Sequence, residues 1–375
     1  MFLNYEGSVL SYVASIRRYF GLASSYSPDP SLSDILDRQR PEKVFVLLVD
    51  GMGANLIKRK LAADSFLNRN LLAKTNTVFP STTTAATSAI RNGRPPCENG
   101  WLGWSQYLKE ADDIIIPFRS MGFYNDVCYE KDIFKRYVPI PTTEEELNKA
   151  GIEARILFPS FEEDGCEDFD EMCCRLADFS YSDQYRYIYA YWDKYDTYMH
   201  EYGPSHKICD SYLEHINYEI ENLAKNLSKD TLLIVTADHG QVDINRFYNL
   251  WHSEFDPFFS RRPSLEQRAM AFNIKKGMEK QFEKLFKQRF ENDYILLNKA
   301  QVISSKLFGD RPNHPRFEQF IGDFIAIAKS DMVLIYKERG NLYYSGQHAG
   351  ICDDELYVPI IVVQNEKSTD ADRKC

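Results

Sequence analysis

The sequence predicts an α/β protein whose mostly parallel central sheet is sandwiched by helices, with a smaller inserted α+β cap subdomain. Three observations carry that expectation. Short apolar runs end abruptly in acids and glycines, at Val44 to Val49 before Asp50-Gly51 and at Thr231 to Ala237 before Asp238-His239-Gly240. Runs of this kind read as parallel strands buried on both faces. Amphipathic stretches alternate with them, as in residues 8 to 20, where Val9, Leu10, Val13, Ile16, Tyr19 and Phe20 recur at helical spacing. Finally, 375 residues are enough for one large α/β domain with insertions, or for two domains.

Composition removes several function classes. A formal net charge of −10 lacks the positive field that a nucleic-acid polymer or an anionic membrane demands. Met1 to Glu6 has no basic, apolar leader character, and no stretch reaches the roughly 18 apolar residues of a membrane span. A soluble, cytoplasmic protein is expected. The eight cysteines include the adjacent Cys173 and Cys174 and show no Cys-x-x-Cys spacing, so reduced thiols are expected. No cysteine pairs with histidine at structural-zinc spacing. A metal here must be held by oxygen and imidazole.

Taken in order, the chain opens with the helix over 8–20, and Ser31 or Ser33 is positioned to cap a short helix reaching Arg38. The strand 44–49 then delivers Asp50 to a turn that Gly51 and Gly53 make tight, and a helix follows over 55–63. In open α/β sheets, ligands bind just beyond the carboxyl ends of the strands. The run Phe79-Pro80-Ser81-Thr82-Thr83 leads into small residues and ends at Asn92-Gly93, which predicts a helix with Thr82 and Thr83 in its first turn. Amide groups and dipole potential there suit a phosphoryl group arriving at a hydroxyl. Residues 94–104 form a rigid loop whose Trp101 and Trp104 either pack beneath it or wall a substrate pocket; Phe118 is a further candidate for stacking on a leaving group.

Beyond the loop, strands are expected at 114–116 and 155–158 and helices at 142–148 and 168–176. The strand 185–191 delivers Asp196 and His200, four apart, so that one helical turn points both at one spot. Asp193 competes as a ligand or caps the turn. A long helix from Pro204 to about Asn226 leads to the strand ending at Asp238-His239-Gly240, where the glycine lets the chain leave the strand and both side chains share a target. Ser345-Gly346-Gln347-His348-Ala349-Gly350 sets a histidine among glycines before a last strand, 356–363. The charge-rich, proline-containing block over 246–340, with a helix at 276–290 and strands at 294–297 and 332–336, suggests an inserted subdomain and the division 1–250 with 335–375 as catalytic core and 251–334 as the inserted cap. His206, His215, His252 and His314 are left as surface or core residues.

Asp50, Asp196, His200, Asp238, His239 and His348 thus all fall where strands end or in the turn just beyond, with Thr83 at a helix start. Three carboxylates and three imidazoles suit two divalent ions, Zn2+ or alternatively Mn2+, of the kind that clamp in-line phosphoryl displacement.

Together, Leu48-Val49-Asp50-Gly51, Phe79-Pro80-Ser81-Thr82-Thr83, Asp196 with His200 before Tyr202-Gly203-Pro204, Thr236-Ala237-Asp238-His239-Gly240 and His348-Ala349-Gly350 resemble the alkaline phosphatase superfamily. The branch they most resemble is the nucleotide pyrophosphatase/phosphodiesterase group. That resemblance implies Asp196, His200 and His348 on one metal, and Asp50, Asp238, His239 and the nucleophile on the other. It also implies a covalent phosphothreonine and a small phosphodiester or nucleotide-like substrate. The family's attacking residue lies ten positions before a glycine that is itself seven before another; Gly93 and Gly100 keep that spacing and point to Thr83, with Thr82 as runner-up. Trp104 stands where the family has an asparagine that contacts the phosphoryl oxygen. A phosphomonoesterase or phosphomutase using the same metals is the alternative, and an inactive metal-binding scaffold a second. A sulfatase is disfavoured, because no Cys-x-Pro-x-Arg or Ser-x-Pro-x-Arg occurs.

Overall fold

A computed structural model describes residues 3–125, 127–338 and 344–363. Its central sheet is built from β1 (Lys43–Val49), β2 (Leu71–Asn76), β3 (Ala154–Leu157), β4 (Tyr187–Trp192), β5 (Thr231–Thr236) and, late in the chain, β10 (Tyr357–Val363). The spatial order is β2-β10-β5-β1-β4-β3. β1 runs parallel to β4 and β5, and β3 parallel to β4. Only β10 opposes its neighbours, lying antiparallel to β5 and to β2. Every residue of β1 and β5 is buried, which is why both read as unbroken apolar runs rather than alternating ones. β2 carried no such signal. It is a partly exposed edge strand that pairs with β10 alone, so it has one neighbour to satisfy and little apolar surface to hide.

Helices form two separately packed groups. One contains α1 (Val9–Tyr19), α2 (Pro30–Gln39) and α3 (Thr83–Asn92); the other contains α4 (Lys194–Tyr202) and α5 (Lys207–Asn226). Two helix starts differ from expectation. α2 is capped by Asp29, whose carboxylate accepts from the Leu32 amide at 2.9 Å, and Pro30 opens it, so Ser31 and Ser33 fall inside the first turn. The fixed φ of proline suits N1 and draws the start forward. α5 begins at Lys207 rather than at Pro204, because Gly203 and Pro204 are used in the preceding turn and His206 takes the cap position. The helix expected over 55–63 runs from Ala54 to Lys60.

A second, wholly antiparallel sheet holds β6 (Phe259–Leu265), β7 (Ala269–Ile274), β8 (Tyr294–Asn298) and β9 (Phe324–Ala328), in the order β6-β7-β9-β8. α6 (Glu279–Phe290) lays Phe282, Phe286 and Phe290 against Phe255, Phe259, Phe272 and Phe324, a core separate from that of the main sheet. Full burial of each such ring is worth about 2–3 kcal/mol, enough to hold a sheet of this size in shape. A three-stranded antiparallel sheet over residues 106–122 surrounds the one strand expected there. None of the seven cysteines among the described residues is in a disulfide, and no helix among those residues is long and apolar enough to cross a membrane.

Candidate active site

Strand register builds the floor of the site. Val49 is level with Trp192, and Leu48 with Thr236, so three central strands end together and release Asp50, Asp193 and Asp238 over one edge. Gly51 follows in the left-handed region (φ +74°), where a Cβ would lie 2.6 Å from Met199 Cε and 3.1 Å from Asp196 Oδ1. Its amide donates to Asp238 Oδ1 at 3.1 Å. Gly240 is equally constrained, since a Cβ there would meet the Asp354 carbonyl oxygen at 2.1 Å. Both glycines therefore let a carboxylate-bearing turn close against another backbone.

Thr83 opens α3 directly above these acids. Its Oγ1 lies 3.4 Å from Asp50 Oδ2 and 3.3 Å from His239 Nε2. His239 Nε2 is in turn 3.3 Å from Asp50 Oδ1 and 3.5 Å from Asp238 Oδ2. Asp50 Oδ1 and Asp238 Oδ2 are buried and accept no hydrogen bond. Two unsatisfied carboxylate oxygens and an imidazole nitrogen converging this closely are costly without a cation between them.

A second group adjoins the first. Asp196 Oδ2 is 3.1 Å from His200 Nε2, and the His200 ring lies 5.1 Å from that of His348. His348 stacks on His239 at 3.7 Å, joining the groups into one cluster. His200 Nδ1 faces the Gly346 carbonyl at 2.8 Å and His348 Nδ1 faces the Ser81 carbonyl at 3.1 Å, which leaves each Nε2 directed inward. Backbone contacts to the other nitrogen fix imidazoles in this way at metal sites. Donor atoms of Asp50, Asp238 and His239 all lie within 4.8 Å of one another, as do those of Asp196, His239 and His348. All six predicted ligands and Thr83 are thus brought together.

Electrostatics marks the same cluster. Burial, reinforced by the neighbouring Asp238 and Asp196, drives the Asp50 carboxyl well above the usual carboxylate range. Asp238 is raised as well, chiefly by burial. Asp196 goes the other way: burial would raise it, but the adjacent His200 holds it below its ordinary value. His348 is pushed far down by burial and by His239. A neutral imidazole is the ligand form of histidine.

The aromatic candidates divide. Trp101 is buried, donates Nε1–H to the Val138 carbonyl at 3.0 Å and packs edge-on against Phe134, so it supports the loop. Phe118 is exposed and rests on Trp101. The Trp104 backbone amide reaches the start of α3 through Glu266, which also accepts from Thr82. Asp193 Oδ1 is buried without a hydrogen-bond partner but belongs to neither donor cluster. Three residues in the site carried no sequence signal that was used. Tyr191 donates its hydroxyl to Asp50 Oδ2, and Gln241 donates to Asp196 Oδ1. Glu266, from the second sheet, accepts from the Thr82 hydroxyl and the Trp104 amide, each at 2.6 Å. Tyr191 could have been found from its place on the strand beside Asp50; Glu266, a charged residue in a turn, looked like solvent-facing surface.

The family model for type I phosphodiesterase/nucleotide pyrophosphatase matches residues 123–351. The chain belongs to that family. Solved structures agree in fold. Human ectonucleotide pyrophosphatase/phosphodiesterase 5 superposes with a TM-score of 0.66 at 15% identity, covering 86% of this chain and 88% of that one. The murine protein gives 0.65 at 14%, covering 85% and 87%, and was also solved as an inactive variant in complex with AMP. Phosphonoacetate hydrolase from Sinorhizobium meliloti 1021, with phosphonoformate bound, gives 0.63 at 13%, covering 89% and 93%. No curated protein sequence matches. As a member of the phosphodiesterase family, within the alkaline phosphatase superfamily, the chain is a hydrolase with candidate metal-ligand clusters.

Proposed function

We propose that this phosphodiesterase-family chain cleaves a phosphodiester or pyrophosphate bond in a small, nucleotide-like substrate, with Thr83 as the nucleophile and two divalent ions, most simply Zn2+, in the paired clusters. The observation that carries the reading is Thr83 Oγ1 within 3.4 Å of both Asp50 Oδ2 and His239 Nε2 at the amino terminus of a ten-residue helix. Asp50, Asp238 and His239 would hold one ion, where the orphaned Asp50 and Asp238 oxygens fit it, and Asp196 and His348 would hold the other together with His200, whose Nε2 lies 3.1 Å from Asp196 Oδ2; the donor set is hard oxygen and imidazole. When bound, such a pair supplies Lewis acidity toward the attacking and departing oxygens.

The chain's own groups do the rest. The first turn of α3 fixes the Thr83 hydroxyl and presents backbone amides to a phosphoryl oxygen. Thr83 Oγ1 attacks phosphorus in line, an Oγ1–P bond forms as the hydroxyl proton is lost to solvent, and the bond to the ester oxygen opposite breaks, that oxygen departing with its electron pair and taking up a proton from solvent. Water then attacks from the vacated side, the threonine–phosphorus bond breaks, and Thr83 is regenerated as the hydroxyl. Residues 251–334 serve as the cap over this edge of the sheet.

Turnover of p-nitrophenyl thymidine monophosphate beside p-nitrophenyl phosphate, with metal quantified on the same sample, tests the proposal. Faster diester cleavage with about two ions per chain is expected. Metal-loaded protein that cleaves neither compound overturns it, and faster monoester cleavage transfers the same site to a phosphatase.

A further inference from the structure

Glu266 is an acid that the second sheet places beside Thr82 and Thr83, accepting from the Thr82 hydroxyl at 2.6 Å. It sits in the turn between β6 and β7, and that turn is fixed from both sides. Leu265 exchanges backbone hydrogen bonds with Ser105, at 2.7 and 3.3 Å, and Gly103 permits the approach, since a Cβ on it would stand 3.1 Å from Leu265 Cα. Arg268, two residues on, is fully buried. The Glu266 carboxyl is therefore held in place rather than free to swing to solvent.

Its contacts alter the phosphoryl end of the site in two ways. Thr82 occupies the cap position of α3 and makes no capping hydrogen bond; its hydroxyl donates to Glu266 instead. The Trp104 amide is given to the same Oε1. An acid therefore stands beside the helix start that carries Thr83, and two neutral donors, the Thr82 hydroxyl and the Trp104 amide, are turned toward it.

Charge counting gives this arrangement a meaning. Asp50, Asp196, Asp238 and Glu266 together carry four negative charges when ionised, equal to the charge of two divalent ions. Among the described residues no Lys or Arg side chain bonds Thr82, Thr83 or any of these four acids. A loaded site is then neutral, so every negative charge on the substrate is uncompensated, and the Glu266 carboxylate opposes a doubly charged phosphoryl group more strongly than a singly charged one. Burial raises the Glu266 carboxyl to about 7, so at mildly alkaline pH it is ionised, and bound cations favour that form further.

We propose that Glu266 is a specificity-determining residue that admits singly charged phosphodiesters and turns away doubly charged phosphate monoesters. The proposal rests on the phosphodiesterase reading of the same site. Like charges set close together in a desolvated pocket act as a filter against the wrong partner.

The test uses metal-loaded protein at pH 8.5. Glu266→Gln removes the charge and keeps an oxygen for Thr82 and Trp104. The ratio of kcat/KM for p-nitrophenyl phosphate to that for p-nitrophenyl thymidine monophosphate is expected to rise about tenfold. On a Thr83→Ala background, which cannot turn over, inorganic phosphate should bind about tenfold more tightly after Glu266→Gln, and dimethyl phosphate far less so. Glu266→Ala should tighten phosphate in the same sense. An unmoved ratio with unmoved phosphate binding, or equal tightening of both anions, overturns the proposal. If the wild-type protein cleaves neither ester, the phosphodiesterase reading fails, and the comparison of phosphate with dimethyl phosphate still decides the role of Glu266.

Discussion

Arg268 and Glu355 form a fully buried two-point ion pair, with Nε to Oε1 at 2.6 Å and Nη2 to Oε2 at 2.8 Å. Glu355 also accepts from the Gly350 amide at 2.8 Å and the Cys352 amide at 3.1 Å, while Arg268 Nη1 donates to the Ser330 and Met332 carbonyls. The pair thus joins the Glu266 turn to the loop that carries His348. Removing one partner strands the other charge in the interior. Arg268→Met is expected to cost about 3–5 kcal/mol, and Arg268→Met with Glu355→Gln distinctly less. Urea denaturation of the two variants measures this; a single substitution costing under about 1 kcal/mol contradicts it.

The two threonines should separate cleanly. Thr83→Ala removes the attacking oxygen and is expected to lower kcat by at least about 10³-fold without loss of bound metal. Thr82→Ala removes a contact to Glu266 and should lower it by about tenfold or less. Steady-state turnover with inductively coupled plasma analysis of metal checks both. Equal losses would move the nucleophile's role away from Thr83.

Stability of the metal-free protein should fall as pH rises. Asp50 and Asp238 have folded pKa values above their unfolded ones, so above about pH 4 the native state keeps protons that the unfolded chain has lost. Their contribution is fully present below the ordinary carboxylate range and is lost as pH climbs through the raised values. Asp196, depressed by His200, contributes the opposite slope, and that is complete by about pH 4. The gap in Tm between metal-loaded and EDTA-treated protein should therefore widen from pH 5 to 8. Differential scanning fluorimetry reads it directly, and Asp50→Asn should flatten the metal-free curve.

Gly240→Ala should damage the site without touching a ligand. The added methyl meets the Asp354 carbonyl at 2.1 Å and Gly53 Cα at 3.0 Å, so the turn bearing Asp238 and His239 must shift. Overpacking of this kind costs about 1–3 kcal/mol. Metal affinity should fall more than Tm, seen by competition with a chromogenic chelator; an unchanged affinity would show that the turn has slack.

What the sequence made legible follows from burial. β1 and β5 are enclosed on both faces, so their composition announces them, and the acids where they end, Asp50 and Asp238, inherit that clarity. Asp196 and His200 were legible because helix periodicity is local. β2 was not, since an exposed edge strand needs no apolar pattern. Glu266, Tyr191 and Gln241 were missed for a different reason: each acts through a partner distant in sequence, 184 residues away for Glu266 and Thr82, 141 for Tyr191 and Asp50, and 45 for Gln241 and Asp196. Spacing along the chain cannot register such contacts. The start of α2 was misplaced because Asp29 and Pro30 outcompeted the serines that follow.

The position of β10 governs how the molecule can be made. It lies between β2 and β5, and the loop just before it carries His348 and meets the nucleophile's loop through Ser81 Oγ and the Gly350 carbonyl, 269 residues apart along the chain. During synthesis, β2 has no partner and β5 one bare edge until the ribosome has released residues beyond 363. Until then the growing chain holds open strand edges that invite pairing with other chains. The same event that closes the sheet follows directly on the delivery of His348, so a polypeptide interrupted before it is both aggregation-prone and without the full cluster of acids and imidazoles.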